Sequence, residues 1–178
     1  NAGSDALARV LARGCWSQPE RFLHEADWHI GEFQRGGPLG HADFEVRRGT
    51  QQLGRCRLSL AGAHNRANAL AAIAASAAVG VEPAQAIAAL GSFAGVRRRM
   101  QLRGEVRGIS VIDDFAHHPT ALSETIAALR ERTAAGDRIL AVFEPRSNTM
   151  KLGTMRAQLA ASLSGADLIY CYAGSIGW

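Results

Sequence analysis

Three short apolar runs, Ile109–Ile112, Ile139–Phe143 and Leu168–Cys171, recur late in the chain. Between the first two, Leu122, Ile126 and Leu129 fall at helical spacing within Pro119–Arg132; between the last two, Thr154–Leu163 reads as another helix. Short apolar strands separated by amphipathic helices imply a parallel sheet with helical crossovers. Such a sheet takes its ligands beyond the carboxyl ends of its strands. The chain stops at Gly177-Trp178, just after the third run, so this sheet is expected to be incomplete and the polypeptide a fragment.

Upstream the period differs. Asp5–Arg13 reads as a short helix that Ser4 or Asp5 can cap and Gly14 ends. Trp28–Phe33 and Phe44–Arg48 read as strands. After a turn over Gly49–Gln52, Cys56, Leu58 and Leu60 alternate with Arg55, Arg57 and Ser59, the pattern of a half-exposed antiparallel meander. An alanine-rich helix is expected over Asn65–Val79, stopped by Gly80, and a second from Pro83 to about Leu90. Arg97–Gly104 is polar and lies between periodic segments, as a hinge would. The fold class is therefore α/β, with residues 1–93 as one part, 94–104 as a linker and 105–178 as a second part.

At 178 residues the chain is long enough for one large domain or two small units. With 47% hydrophobic and 20% charged residues it reads as soluble and globular, which argues against disorder. No uncharged apolar run reaches membrane-spanning length, and no basic start followed by an apolar run marks a signal peptide. The net charge of +4 comes from arginines dispersed among acids, and aromatics are only 6%, so nucleic-acid binding is poorly supported. Cys15, Cys56 and Cys171 are odd in number and far apart, which suits a reducing cytoplasm better than a disulfide or zinc framework.

Four stretches could carry chemistry. In Gly62–Ala69, Asn65 and Asn68 share a helix face in its first turn, where backbone N–H groups and the dipole favour anions. A carboxamide there suits a purine edge or a ribose; equally, Asn65 could cap the helix and Asn68 face solvent. Arg97-Arg98-Arg99 is either a solvated linker or a guanidinium clamp on phosphate. Asp113-Asp114 leaves a strand end, and His117-His118 precedes Pro119; the stretch could bind a ribose, ligate a metal, or be a turn with a helix cap. Phe143–Lys151 places Arg146, Ser147 and Asn148 after the second apolar run, as a polar loop or as a pocket for an anionic substrate. No Gly-x-x-x-x-Gly-Lys-Ser/Thr loop occurs, and Lys151 is the only lysine, so these residues cannot cradle a triphosphate in the P-loop manner.

In this order the four motifs resemble the Mur ligase family: Gly-x-His-Asn-x-x-Asn before an alanine-rich helix, Arg-Arg, Asp-Asp-Phe-x-His-His-Pro-Thr, then a Pro-Arg loop. Gly14–Ser17 and Glu144–Lys151 resemble its tripeptide-adding branch. The L-alanine-adding branch carries His-Arg-Tyr-Thr-Arg after the loop proline; here its two arginine positions are Ser147 and Met150.

The resemblance implies that residues 1–93 end a central P-loop ATPase domain and that residues 105–178 begin a Rossmann-like C-terminal domain, expected to be truncated. It implies ATP-dependent joining of L-Ala-γ-D-Glu-meso-diaminopimelate to UDP-N-acetylmuramate through an acyl phosphate. ATP and Mg2+ would be held mainly by residues upstream, and no nucleic-acid or membrane partner is implied. His64, Asn65, Asn68, Arg99 and Asp114 would meet the nucleotide, Arg99 on its phosphates and Asp114 on its ribose. His117, Arg146, Ser147 and Asn148 would face the peptide, with Arg99 and His117 as the catalytic pair. The alternatives are the L-alanine-adding activity, a nucleotide-binding or regulatory module without chemistry, and an arginine-rich nucleic-acid binder.

Overall fold

The computed structural model describes residues 1–24, 26–34 and 41–174. The expected unfinished end at Gly177-Trp178 lies outside them. The chain divides into two compact units, one of residues 1–60 and 64–94, the other of 61–63 and 95–178.

In the first unit, β1 (Trp28–Gln34), β2 (Ala42–Arg48) and β3 (Gln51–Leu58) form an antiparallel sheet in sequence order. The alternation read upstream is the inward face: Phe44, Val46, Cys56 and Leu58 are buried, while Arg55 and Arg57 point out. Strand β3 resumes at Gln51, so the turn is shorter than expected. Helices α2 (Ala63–Ala78) and α3 (Pro83–Gly91) cover this face with Leu70, Ile73 and Ile87. Burying each such side chain contributes about 1.5–3 kcal/mol. Burial pushes the Cys56 thiol up to about 11, so it stays a protonated packing residue. Trp28 anchors the strand entry: its Nε1–H donates to Glu20 Oε2 (2.6 Å), and Arg48 lies over its ring. Helix α1 (Asp5–Leu11) is capped by Ser4, whose hydroxyl accepts from the Leu7 amide, and Gly14 follows it at φ +112°.

In the second unit, β4 (Gln101–Val106) and β5 (Ile109–Asp113) form an antiparallel hairpin, closed by Arg107 and Gly108, both at positive φ. This corrects two expectations. The hinge assigned to 94–104 ends in a strand, and the first apolar run pairs with that strand instead of leading a three-stranded parallel sheet. Strand β4 buries no residue, so it shows no core-facing alternation, and Gly104 lies at its bulge.

Among the strands of the described residues, β6 (Leu140–Phe143) and β7 (Leu168–Cys171) are the pair that runs parallel. Helix α4 (Pro119–Arg132) has the expected bounds. The crossover between β6 and β7 holds two helices, α5 (Asn148–Lys151) and α6 (Arg156–Ser162), where one from Thr154 was expected. Leu122, Ile126, Ile139, Phe143, Met150 and Leu163 form this unit's core. Asp167 ties it together: its Oδ2 accepts from the Ile139 amide and from Arg130 Nη2, each at 2.7 Å. The Ile139 amide and the Arg130 guanidinium together hold its carboxyl below the usual range.

Candidate functional site

The arginine run is neither straight linker nor free chain. It forms a tight turn in which Arg98 (φ +59°) and Met100 (φ +50°) are left-handed and flank Arg99. Side chains rarely adopt that conformation, so surrounding contacts must hold it. The Arg99 amide donates to Val96 O (3.1 Å), the Phe115 amide to Arg98 O (2.8 Å), and the Met100 amide to Asp114 Oδ2 (2.8 Å). These bonds lay the turn against the residues leaving β5. Arg98 Cζ stands 4.7 Å and Arg99 Cζ 6.0 Å from the Phe115 ring centroid. Arg98 also meets Asp113 at 3.5 Å.

The result is an exposed cationic patch backed by an aromatic ring, a surface suited to anions and planar groups. In the sequence Phe115, Arg98 and Asp113 stand out only as parts of motifs. The signal that marks them is one aromatic between an acidic pair and a histidine pair, with arginines upstream.

The adjacent histidines take opposite tasks. His117 Nδ1 lies 2.9 Å from Phe115 O, and only a donor satisfies a carbonyl. Nδ1 therefore carries the hydrogen in the neutral ring and Nε2 keeps its lone pair, on a residue that is exposed. His118 caps α4, its Nδ1 accepting from the Thr120 amide, and Pro119 opens the helix.

The loop after β6 flanks the same core. Ala116 packs against the cluster that contains Phe143 and Met150, the residues that bracket this loop. Arg146 is 80% exposed and stands 3.7 Å from Glu144. The Ser147 hydroxyl is committed as the N-cap of α5, accepting from the Met150 amide. Asn148, exposed, opens that helix, and Met150 is buried.

His64 and Asn65 are half-buried and Asn68 is exposed, all on α2 in the first unit. Because α2 begins at Ala63, Asn65 lies within the first turn, which removes the reading in which it caps the helix. The second unit thus brings Arg99, Asp114 and His117 together, while the asparagines belong to the first. Among the described residues, no three His, Cys, Asp or Glu side chains form a group that could hold a metal ion. No helix of the described residues is long and apolar enough to cross a membrane.

An antiparallel sheet under two helices, then a parallel strand pair with helical crossovers and polar loops at its carboxyl ends, is the mixed α/β architecture of solved Mur ligase structures. Residues 98–176 match the Mur ligase, glutamate ligase domain. Over 92% of its length the chain is 46% identical to the Escherichia coli UDP-N-acetylmuramate–L-alanyl-gamma-D-glutamyl-meso-2,6-diaminoheptandioate ligase, of which it covers 35%. A Nostoc punctiforme UDP-N-acetylmuramate–L-alanine ligase is 43% identical over 66% of the chain, or 24% of that protein. The crystal structure of a murein peptide ligase from Psychrobacter arcticus superposes with a TM-score of 0.65 at 38% identity, over 96% of this chain and 35% of that one. The chain belongs to the Mur ligase family, and it spans about a third of the length of the tripeptide ligase it matches.

Proposed function

We propose that this chain is part of a cytoplasmic ATP-dependent amide ligase of peptidoglycan recycling, which joins L-Ala-γ-D-Glu-meso-diaminopimelate to UDP-N-acetylmuramate. What carries the reading is the cationic, aromatic-backed patch beside an exposed imidazole, in a chain 46% identical to a ligase named for that pair of substrates. ATP phosphorylates the muramyl carboxylate, giving an acyl phosphate and ADP. The peptide amine attacks the acyl carbon, and phosphate leaves the tetrahedral intermediate. An ammonium cannot attack, so a base must first take its proton. His117 Nε2 is the available lone pair. Arg99 places a guanidinium where phosphate charge develops. His64, Asn65 and Asn68 serve the nucleotide, and Arg146 with its neighbours Ser147 and Asn148 serves the peptide. The main ligands of a magnesium ion would lie outside the described residues.

Two observations favour tripeptide over L-alanine. The tripeptide ligase is 46% identical over 92% of the chain, whereas L-alanine ligases reach 43% over 66% or 39% over 82%. The two loop positions that are arginine in the L-alanine branch here hold a helix cap, Ser147, and a buried residue, Met150.

The test uses the full-length enzyme. Tripeptide should be preferred to L-alanine as the amine substrate. Arg146→Ala should raise the tripeptide KM about tenfold while leaving the ATP KM nearly unchanged. A preference for L-alanine, or a rise in ATP KM alone, would overturn the assignment.

A further inference from the structure

The segment between β6 and α6 carries two cations, and they stand differently. Arg146 is 80% exposed and has Glu144 for a neighbour, 3.7 Å away. Lys151, the only lysine of the chain, is exposed, and among the described residues its ammonium has no ion pair. Local geometry fixes its place. The Lys151 amide donates to Ser147 O at 2.9 Å and the Leu152 amide to Asn148 O at 3.0 Å, so α5 is a single helical turn. Asn148 and Lys151, three apart, share its outer face, while Met150 is buried in the core of the unit.

The L-alanine-adding branch has arginine where Met150 stands. A free amino acid carries its carboxylate on the carbon that bears the amine, so a cation close to the amine can pair with it. In a tripeptide that carboxyl has become an amide. A cation kept there would be desolvated with no counter-charge, which is costly. A peptide ligase must therefore give up the inner cation and read a carboxylate farther along its substrate. A buried methionine at 150, with an ammonium one residue on and turned about 100° round the helix toward solvent, meets both needs.

We propose that Lys151 is a specificity-determining residue for the amine substrate: its ammonium binds the α-carboxylate of the peptide's second residue, the free carboxylate nearest the reacting amine. This rests on the reading above, in which the loop after β6 meets the peptide. Lysine suits the task, because its flexible four-carbon stem carries a compact charge out from the edge of a short helix. Arg146, on the loop that enters α5, is left for the carboxylates of the third residue.

The experiment uses the full-length enzyme as wild type, K151M and R146A. The substrates are the tripeptide and its analogue in which the second residue's α-carboxylate is a carboxamide. Ligation gives kcat/KM, and calorimetry with UDP-N-acetylmuramate and a non-hydrolysable ATP analogue gives Kd. Wild type should favour carboxylate over carboxamide about tenfold in both, as expected for one charge-assisted hydrogen bond. K151M keeps the aliphatic stem on an exposed position and should shrink that preference to less than about twofold. R146A should weaken both peptides alike and leave the preference in place.

A preference that K151M leaves unchanged, that R146A alone erases, or that wild type lacks would overturn the assignment. Calorimetry needs no turnover, so the two readings fail separately. Wild type that shows the preference in Kd but no ATP-dependent ligation overturns the functional reading and keeps the Lys151 contact. Ligation whose carboxylate preference survives in K151M overturns the Lys151 contact alone.

Discussion

Gly31 shows how little room a single position can have. A Cβ built there would fall on Glu45 Oε2, and Glu45 cannot swing away freely. Its side chain is buried and held by Arg47 Nε at 2.9 Å and by the Glu32 amide at 3.3 Å. The Arg47 guanidinium keeps the Glu45 carboxyl below its usual range. Gly31→Ala should therefore displace the carboxylate and lower the thermal midpoint by about 4–8 °C, an overpacking effect read by calorimetry. An unchanged midpoint would mean that the glutamate moves without cost. Gly31 stands in a strand pattern and its sequence neighbours give no hint of this. The contact depends on Glu45, fourteen residues downstream, crossing from β2 to β1.

The β6–β7 pair and α4 are joined by one acidic side chain, and that makes their stability pH-dependent. The carboxyl of Asp167 is lowered chiefly by the Ile139 amide and then by Arg130. Its folded pKa lies below its unfolded one, so its contribution is fully present above the unfolded value, about 3.9, and is lost as pH falls through the folded value. Asp167→Asn should unfold at lower urea than wild type above about pH 5, and the two midpoints should converge in the acid range below about pH 4. A gap that stays constant with pH would rule out the ion pair as its source. The helices here were legible because Pro119 and the 3.6 spacing of Leu122, Ile126 and Leu129 are local signals. The partner of β5 was not. An apolar run is equally compatible with a parallel and an antiparallel neighbour, and β4, which buries nothing, looked like a linker.

The chain covers 35% of its Escherichia coli relative and has neither a P-loop nor any lysine besides Lys151. The isolated chain, supplied with ATP, magnesium and both substrates, should accordingly release no phosphate above the buffer rate; measurable release would show that these residues suffice for the first step. The order of Gly62–Asn68, Arg97–Arg99, Asp113–Thr120 and Glu144–Lys151 was enough to reach the family, because each motif is a local run of residues that needs no partner to be read. The alternation of Cys56 and Leu58 with Arg55 and Arg57 was likewise enough to orient β3, since period two assigns each side chain a face. Three things came only with the tertiary structure: the left-handed turn that presents Arg99, the Met100 amide that donates to Asp114, and the Phe115 carbonyl that leaves His117 Nε2 open. Each depends on a hydrogen bond whose partner the residue's own identity does not name. Spacing can place a donor and an acceptor in the same loop; only the folded backbone decides which of them meet.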